Sequence, residues 1–406
     1  MKVISKISIV TILVLSLGCF SVKKDEYLIP AEFDTQEYIW LSWSEKQFLG
    51  SAPFYFTTLQ AVKEITPFAK VKLFWTNADE YNKSLKEDSI YSKLISHKVD
   101  TSRVELFYTD TGFEAMQDPG PIFLRNQKGD LALTNFGFRH HDKNVEMIDV
   151  RIASRLGIPT VDSKMISEGG AWQTNGKGTM LLVESVELDR NPKMNKIEIE
   201  NEYKRVLGVK KIIWLKKGLK EEEWTKFENG LYGIGTGGHI DEFCRFADEN
   251  TILLAEVSEE ERGKDEITME SYRRMEENFE ILRAATDQDN NHFNIIRIPT
   301  APLMTKKLLY RNLGGEEMSW FENVTEDTVE FYLATSYLNL VIANGVVVTS
   351  KYWKEGLAED IRKRDEEAKR VLEKAFPTRK IVQIDCMPIH HDGAGLHCHS
   401  RNQPAN

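Results

Sequence analysis

The chain is poor in cysteine, has no excess of positive charge, and contains no apolar run long enough to cross a bilayer. Four cysteines occur in 406 residues. With Cys19 at the end of an apolar leader, Cys244, Cys386 and Cys398 remain, an odd number that leaves an unpaired thiol. The formal net charge of -10 excludes the basic face with which nucleic-acid binders displace counterions, and it suits a cationic substrate. A hydrophobic share of 41% is enough to bury a sizeable core, which excludes disorder for the body of the chain.

The first residues read as a targeting segment. Lys2 and Lys6 precede an apolar run over 7–17 that ends in Gly18-Cys19, which makes 1–18 a signal peptide. Ser16-Leu17-Gly18-Cys19 resembles a relaxed bacterial lipobox. The resemblance implies cleavage before Cys19, lipidation of that residue and an exported cell-envelope lipoprotein, with plain secretion as the alternative. Residues 19–28 form a polar tether and 29–406 one domain. An exposed thiol in an exported protein risks oxidation unless it is kept for its reactivity, which favours a catalytic cysteine.

The body repeats a pattern of two short strands, an amphipathic helix and a further strand. Strands at 122–124 and 131–136 flank the turn Asn126-Gln127-Lys128-Gly129-Asp130. A helix with Val145, Ile148, Ile152 and Leu156 on one face ends at Gly157, and 158–161 follow as a strand. A second unit starts at Glu168-Gly169-Gly170, turns at Asn175-Gly176-Lys177-Gly178 and runs through 180–183, a helix closing at Leu207-Gly208 and a strand over 211–215. The third runs from Gly237 through 251–257, a helix with Tyr272, Met275, Phe279 and Leu282, and 294–298. The fourth has strands at 337–342 and 346–349 around Asn344-Gly345, a helix with Leu357, Ile361, Ala368, Val371 and Ala375, and 381–384. Strands at 38–43 and 71–75 with a helix near 61–68 form a unit lacking its first strand, and 396–400 form a strand lacking a partner. The economical reading is an α/β ring of five units closed by the two termini, which removes edge strands. An open α/β protein with coincidental spacing is the alternative.

A ring of this kind brings the Gly-rich starts of its hairpins together near the axis. Asp118, Glu168, His239 and Cys398 each lie at such a start, and Asp241 follows His239 by two. A guanidinium is planar and permanently charged, so its carbon accepts a nucleophile only when opposing carboxylates fix it and leave a face open. Asp118 and Asp241 supply such carboxylates and Cys398 the nucleophile. His239 serves as acid and base, oriented by Glu168, and no metal or cofactor is required. Each residue also has a plain reading: Asp118 in Asp118-Pro119-Gly120-Pro121 forms a turn, Glu168 is a solvated loop charge, and Cys244 and Cys386 are small buried hydrophobes. Two other classes compete. The dense tail of His390, His391, His397, Cys398 and His399 suggests a metal site, although without regular zinc spacing. The chain also reads as a lipid-tethered binding protein without chemistry.

These residues carry a resemblance. Pro30-Ala31-Glu32-Phe33 with Ile39-Trp40-Leu41-Ser42-Trp43, Asp118-Pro119-Gly120-Pro121, Glu168-Gly169-Gly170 and Asn191-Pro192 resemble motifs of the agmatine deiminases and the Porphyromonas-type peptidylarginine deiminases. Gly238-His239-Ile240-Asp241-Glu242 with Arg245-Phe246, Tyr337-Leu338-Asn339 with Ala343-Asn344-Gly345, and Gly395-Leu396-His397-Cys398 extend it in the same order over nearly the whole mature chain. The resemblance implies the pentein fold, a five-bladed α/β propeller of the guanidino-group-modifying superfamily. It implies hydrolysis of a guanidinium to a ureido product and ammonia through a thiouronium on Cys398, with the roles given above. Its substrates would be a small cationic guanidine such as agmatine or a C-terminal peptidylarginine. Nucleic acid is no partner, and a membrane is met only through the lipid anchor. One departure stands out: the family usually carries a Trp and an Arg just ahead of the first aspartate, where this chain has Ala115-Met116-Gln117. Arg125 and Arg139 follow Asp118 closely and would favour a carboxylate-bearing substrate, and export points the same way, toward arginine in a peptide.

Overall fold

Hairpin turns in three of the repeats are closed by the side chain the sequence places in them. Asn126 Oδ1 accepts the N–H groups of Lys128 and Asp130 at 2.9 Å each, and Asn175 Oδ1 accepts those of Lys177 and Thr179 at 3.0 Å each. Asp248 Oδ1 does the same for Asn250 and Thr251 at 2.8 and 2.7 Å. Such Asx contacts hold the reversal locally, so each strand pair is set in register before any distant packing.

The computed structural model describes residues 27–405, apart from 48–49, 77–82, 110–114, 140–144, 146, 311–323 and 325–326. The expected leader, Cys19 and nearly all of its tether lie outside the described residues. Among the described residues the strands form five blades and one accessory sheet. In the first blade Phe123–Arg125 runs antiparallel to Leu131–Gly137, which pairs in parallel with Thr160–Ile166 across the helix Ile148–Leu156. Trp172–Thr174, Thr179–Val183 and Lys211–Leu215 repeat this order in the second. Cys244–Phe246, Thr251–Glu256 and Asn294–Pro299 form the third, and Val341–Ile342, Val346–Ser350 and Lys380–Ile384 the fourth.

The fifth blade joins the two ends of the chain. Ser400–Pro404 lies antiparallel to Gln36–Trp43, which pairs in parallel with Lys70–Thr76. The inferred ring closure is therefore present. Trp40 donates its indole N–H to Gln403 Oε1 at 2.9 Å, and Asn344 of the fourth blade exchanges two bonds with the Gln36 backbone at 2.7 and 2.8 Å. Each such bond contributes about 1 kcal/mol net. Burying the side chains of Ile39, Trp40 and Leu41 contributes roughly 1.5–3 kcal/mol apiece, so packing holds the seam and hydrogen bonds fix its register.

The helices stop where the sequence says they should. Gly157 and Gly208 take left-handed backbone (φ 68° and 70°) as caps, and Asn195 with Glu198 forms a capping box at the start of Lys196–Leu207. Ile148 and Ile152 bury their face against Trp40, Phe74, Phe107 and Phe123, which ties the first blade to the fifth.

Three expectations are corrected. Residues 396–399 form turns, with the His399 N–H on Leu396 O at 3.2 Å, and the strand starts at Ser400. A Cβ at Gly395 would stand 2.3 Å from Asn339 Oδ1, so the chain there is pressed against its neighbour and is not free to extend a ladder. The strand expected over 337–342 shortens to Val341–Ile342, and Leu357 precedes the helix Glu359–Ala375 and is exposed. Two additions were not foreseen: a fourth strand, Val104–Thr109, beyond Lys70–Thr76, and an accessory sheet of Thr225–Lys226, Tyr232–Gly233, Thr328–Tyr332 and Thr305–Leu309.

Glu187, in the helix Glu184–Arg190, is buried in the second blade and accepts the Tyr203 hydroxyl at 2.9 Å. Burial pushes its pKa up to about 8 from 4.5. Because the folded-state value is raised, the stability it contributes is full below about pH 4.5 and is lost as pH rises through about 8. Glu187→Gln keeps the acceptor and removes the titration. Its melting temperature is expected to gain on the parent as pH climbs from 5 to 8.5, by about 2–4 °C for each kcal/mol recovered. A gap that stays flat across that range in thermal melts refutes the assignment.

Candidate active site

Each blade contributes its first-strand entrance to one central point. Asp118 precedes Phe123–Arg125, and Glu168 opens the short turn Gly169–Ala171 before Trp172–Thr174. His239, Asp241 and Glu242 lie on the turn before Cys244–Phe246. Asn339 stands before Val341–Ile342, and Cys398 before Ser400–Pro404. The backbones are cross-linked there as well, since the Gln117 N–H donates to Cys398 O at 2.8 Å.

His239 is wholly buried. Its Nε2 lies 2.9 Å from Glu168 Oε2, while Nδ1 makes no hydrogen bond and faces Asp118 Oδ1 at 3.6 Å. Glu168 also receives Arg190 Nε at 3.1 Å and Arg139 Nε at 3.3 Å. Burial would raise the Glu168 carboxyl, but Arg139, His239 and Arg190 outweigh it and hold it well below the usual carboxylate range. Burial would lower His239; Asp118, Glu168 and Asp241 outweigh that and hold it above the ordinary 6.5. Asp118 is raised, chiefly by burial.

The other flank mirrors this arrangement. His397 Nδ1 sits 2.6 Å from Asp241 Oδ2 and its Nε2 2.8 Å from Glu32 Oε1, and Arg245 pairs with the other Glu32 oxygen. Asn339 Oδ1 accepts the His397 N–H at 2.7 Å, and its amide nitrogen reaches Glu242 Oε1 at 2.7 Å and Cys398 Sγ at 3.2 Å. The sulfur stands 3.8 Å from Asp241 Oδ2 and 4.0 Å from Glu242 Oε1. Burial, then Asp241, Glu242 and Asp118, push the Cys398 thiol well above its ordinary range, so without a cation between them the sulfur stays protonated. A Cβ at Gly170 would stand 2.7 Å from His239 Nδ1 and 3.1 Å from both Asp118 Oδ1 and Asp241 Oδ2, which marks the gap these groups share.

The five residues expected to react are thus brought together; Arg139 stands beside them and Arg125 does not. Arg125 donates to Ala405 O at 2.7 Å, next to the closing strand, and Arg139 directs its Nε to Glu168. The tail histidines are also separated by their own bonds. His390, His391 and His399 set Nδ1 against the Ala394, Met387 and Gly395 carbonyls at 3.0, 2.6 and 2.9 Å, while His397 lies between Asp241 and Glu32. The residues close enough to share an ion, among those described, are Asp241, Glu242 and Cys398. Sequence reasoning gave no role to Asn339, Glu242, Arg190, Arg245 or Glu32. Asn339 had a signal, because it occupies in the fourth repeat the entrance position that carries Asp118, Glu168, His239 and Cys398 in the others.

The family model described as Porphyromonas-type peptidyl-arginine deiminase matches residues 28–404. The agmatine deiminase of Medicago truncatula is 28% identical over 407 residues, covering 93% of this chain and 96% of the relative. The solved agmatine deiminase of Enterococcus faecalis superposes with a TM-score of 0.73 at 19% identity, over 93% of this chain and 96% of that one. For the C. jejuni agmatine deiminase the TM-score is 0.66 at 24% identity, over 94% and 96%. The fold is the pentein propeller.

The raised imidazole is open to direct measurement. Histidine-selective NMR titration is expected to place His239 above 6.5, and Glu168→Gln to bring it down. A parent value at or below 6.5 refutes this account of the charge balance.

Proposed function

Because the chain belongs to the Porphyromonas-type peptidyl-arginine deiminase family, we propose that it hydrolyses the guanidinium of an arginine derivative to a ureido group and ammonia. The observation that carries this reading is the convergence, from three different blades, of a thiol, an imidazole and two carboxylates beside the gap at Gly170 of a fourth. Asp118 and Asp241 accept the guanidinium N–H groups from either side and leave its face toward Cys398. The bound cation neutralises the carboxylates that keep the thiol protonated and the imidazole charged, so both pKa values fall together. Cys398 sulfur then adds to the guanidinium carbon, and its proton passes through His239 to the departing nitrogen, which leaves as ammonia. Water, losing a proton to the same ring, adds to the thiouronium carbon; the C–S bond breaks, and the ureido product and the thiol are released.

Agmatine, giving N-carbamoylputrescine, is the favoured substrate. Arg125 is engaged with the Ala405 carbonyl and Arg139 with Glu168, so the two cations that favoured a substrate carboxylate are occupied. The depth of the centre, with Cys398 2% exposed, suits a slender molecule. The second reading, a peptide ending in arginine, is favoured by the leader over 1–18 and Cys19, which we read as export and lipid anchoring.

Ammonia release from agmatine, free arginine and a short peptide ending in arginine is expected to be fastest for agmatine; inertness toward all three refutes the proposal. Iodoacetamide is expected to abolish turnover and EDTA to spare it. Cys398→Ser should lower kcat by about 1,000-fold or more while substrate still binds, and undiminished turnover in that variant would overturn the mechanism. Gly170→Ala fills the gap without demanding a new backbone shape. It is expected to cost at least about 100-fold in kcat/KM with a near-parental melting temperature, and a loss within twofold argues against the placement.

A further inference from the structure

The centre holds more acid than the clamp for a guanidinium requires. Glu242 is buried beside Asp241, and ligand atoms of Asp241, Glu242 and Cys398 lie within 4.8 Å of one another. Asp241 Oδ1 and Glu242 Oε2 have no hydrogen-bond partner, although both are sealed from solvent. A buried carboxyl group left half-unpaired is costly, and a cation held by the three side chains would compensate both carboxyls once they are ionised.

We propose that Asp241, Glu242 and Cys398 form an inhibitory site for a thiophilic divalent cation, Zn²⁺ in the first place, which binds when no guanidine is present. In a tetrahedral zinc site with Zn–S about 2.3 Å and Zn–O about 2.0–2.2 Å, neighbouring ligand atoms are roughly 3.4–3.6 Å apart. The sulfur here is 3.8 and 4.0 Å from the two carboxylates, so a contraction of a few tenths of an ångström assembles the site. The supporting contacts already exist. His397 holds Asp241 Oδ2, and the Asn339 amide donates to both Glu242 Oε1 and the sulfur, contacts that remain favourable when sulfur and carboxylate are ionised. Thiolate with two carboxylates selects zinc or cobalt over Mg²⁺ and Ca²⁺, which take oxygen ligands alone. Three protein ligands leave a fourth position for water. Binding displaces the protons of the thiol and of the Glu242 carboxyl to solvent, with no change of oxidation state.

The cation occupies the nucleophile and one arm of the clamp, so it excludes the guanidine. That consequence for turnover rests on the function proposed above, whereas the binding does not. The test uses the full chain with Co²⁺ as a spectroscopic probe and Zn²⁺ in calorimetry. One equivalent of Co²⁺ is expected to give a near-ultraviolet thiolate-to-cobalt band that Zn²⁺ displaces and excess Mg²⁺ does not. Cys398→Ser should abolish the band and Glu242→Gln weaken Zn²⁺ binding at least tenfold, each with parental circular dichroism and melting. Asp118→Asn, outside the trio, should keep the band. Absence of the band, its survival in Cys398→Ser, or Zn²⁺ affinity indifferent to Glu242→Gln overturns the site. In the parent, Zn²⁺ should raise the apparent KM for agmatine and leave kcat unchanged; a fall in kcat alone overturns the competition. A cobalt band in a protein inert toward every guanidine would sink the proposed reaction and leave the metal site standing.

Discussion

The pairing of the last strand with the first is the constraint on which the rest depends. Cys398 lies two residues before Ser400–Pro404, and that strand is positioned by Gln36–Trp43 at the opposite end of the described chain. The Ser42 N–H donates to His399 O at 2.9 Å, and the Gln117 N–H donates to Cys398 O at 2.8 Å. The sulfur is thus suspended between the fifth blade and the first. Its position is a property of the closed ring, because no local motif fixes it. Trp40 on one strand and Gln403 on the other are both buried at this seam, so loosening the termini would also move the reactive turn.

Inside the ring, burial and charge compete, and different neighbours win at different carboxylates. Glu168 and Glu242 are equally hidden from water, yet they shift in opposite directions. Glu168 faces Arg139, Arg190 and His239, and each unit charge near 4 Å contributes a few kcal/mol at an effective dielectric of about 20, enough to overcome desolvation. Glu242 faces Asn339, Asp241 and Glu222, so burial prevails and the proton stays. Glu32 repeats the logic of Glu168 through Arg245 and His397. The centre is consequently framed by two satisfied ion-pair networks and left electron-rich in the middle. A planar cation is what this distribution lacks.

Much of the fold was legible because its signals are local. Lys211–Leu215 was readable to the residue, and Gly157 and Gly208 declared the ends of their helices, since capping depends on neighbours a few positions away. The closure was legible from an unpaired strand at each end of the chain. The misplaced tail strand shows the limit. Leu396, His397 and Cys398 have strand-compatible side chains, and what bends them is Asn339, nearly sixty positions away, whose carbonyl oxygen takes the His397 N–H. The accessory sheet escaped for another reason, as Thr225–Lys226 and Tyr232–Gly233 are too short to carry a period. Arg190 and Arg245 were equally hidden, because a buried ion pair such as Arg245 with Glu32 joins residues more than two hundred positions apart. The reacting groups were legible because each repeats at a blade entrance; the residues that set their charge do not.

The segment ahead of Asp118 shows how a changed motif can keep the chemistry. Met116 is buried among Trp40, Phe74, Phe107 and Phe123, so it belongs to the core that joins the first and fifth blades. Gln117 is buried too; its backbone N–H holds Cys398 O and its side-chain amide reaches Gly169 O at 3.3 Å. A second constraint comes from Arg401, which would lie 2.0 Å from a Cβ at Gly169, while Gln117 O would lie 2.2 Å from it, so that turn has no room to move. Of the three residues, Ala115 alone keeps partial exposure. Two of the three replacements thus serve the scaffold under the reactive groups, and a methyl group is all that the remaining one presents toward solvent. Asp118 is placed by its backbone neighbours, Ala115 O and the Gly170 N–H among them, and not by the side chains that precede it. The placement of the aspartate therefore survives the change ahead of it.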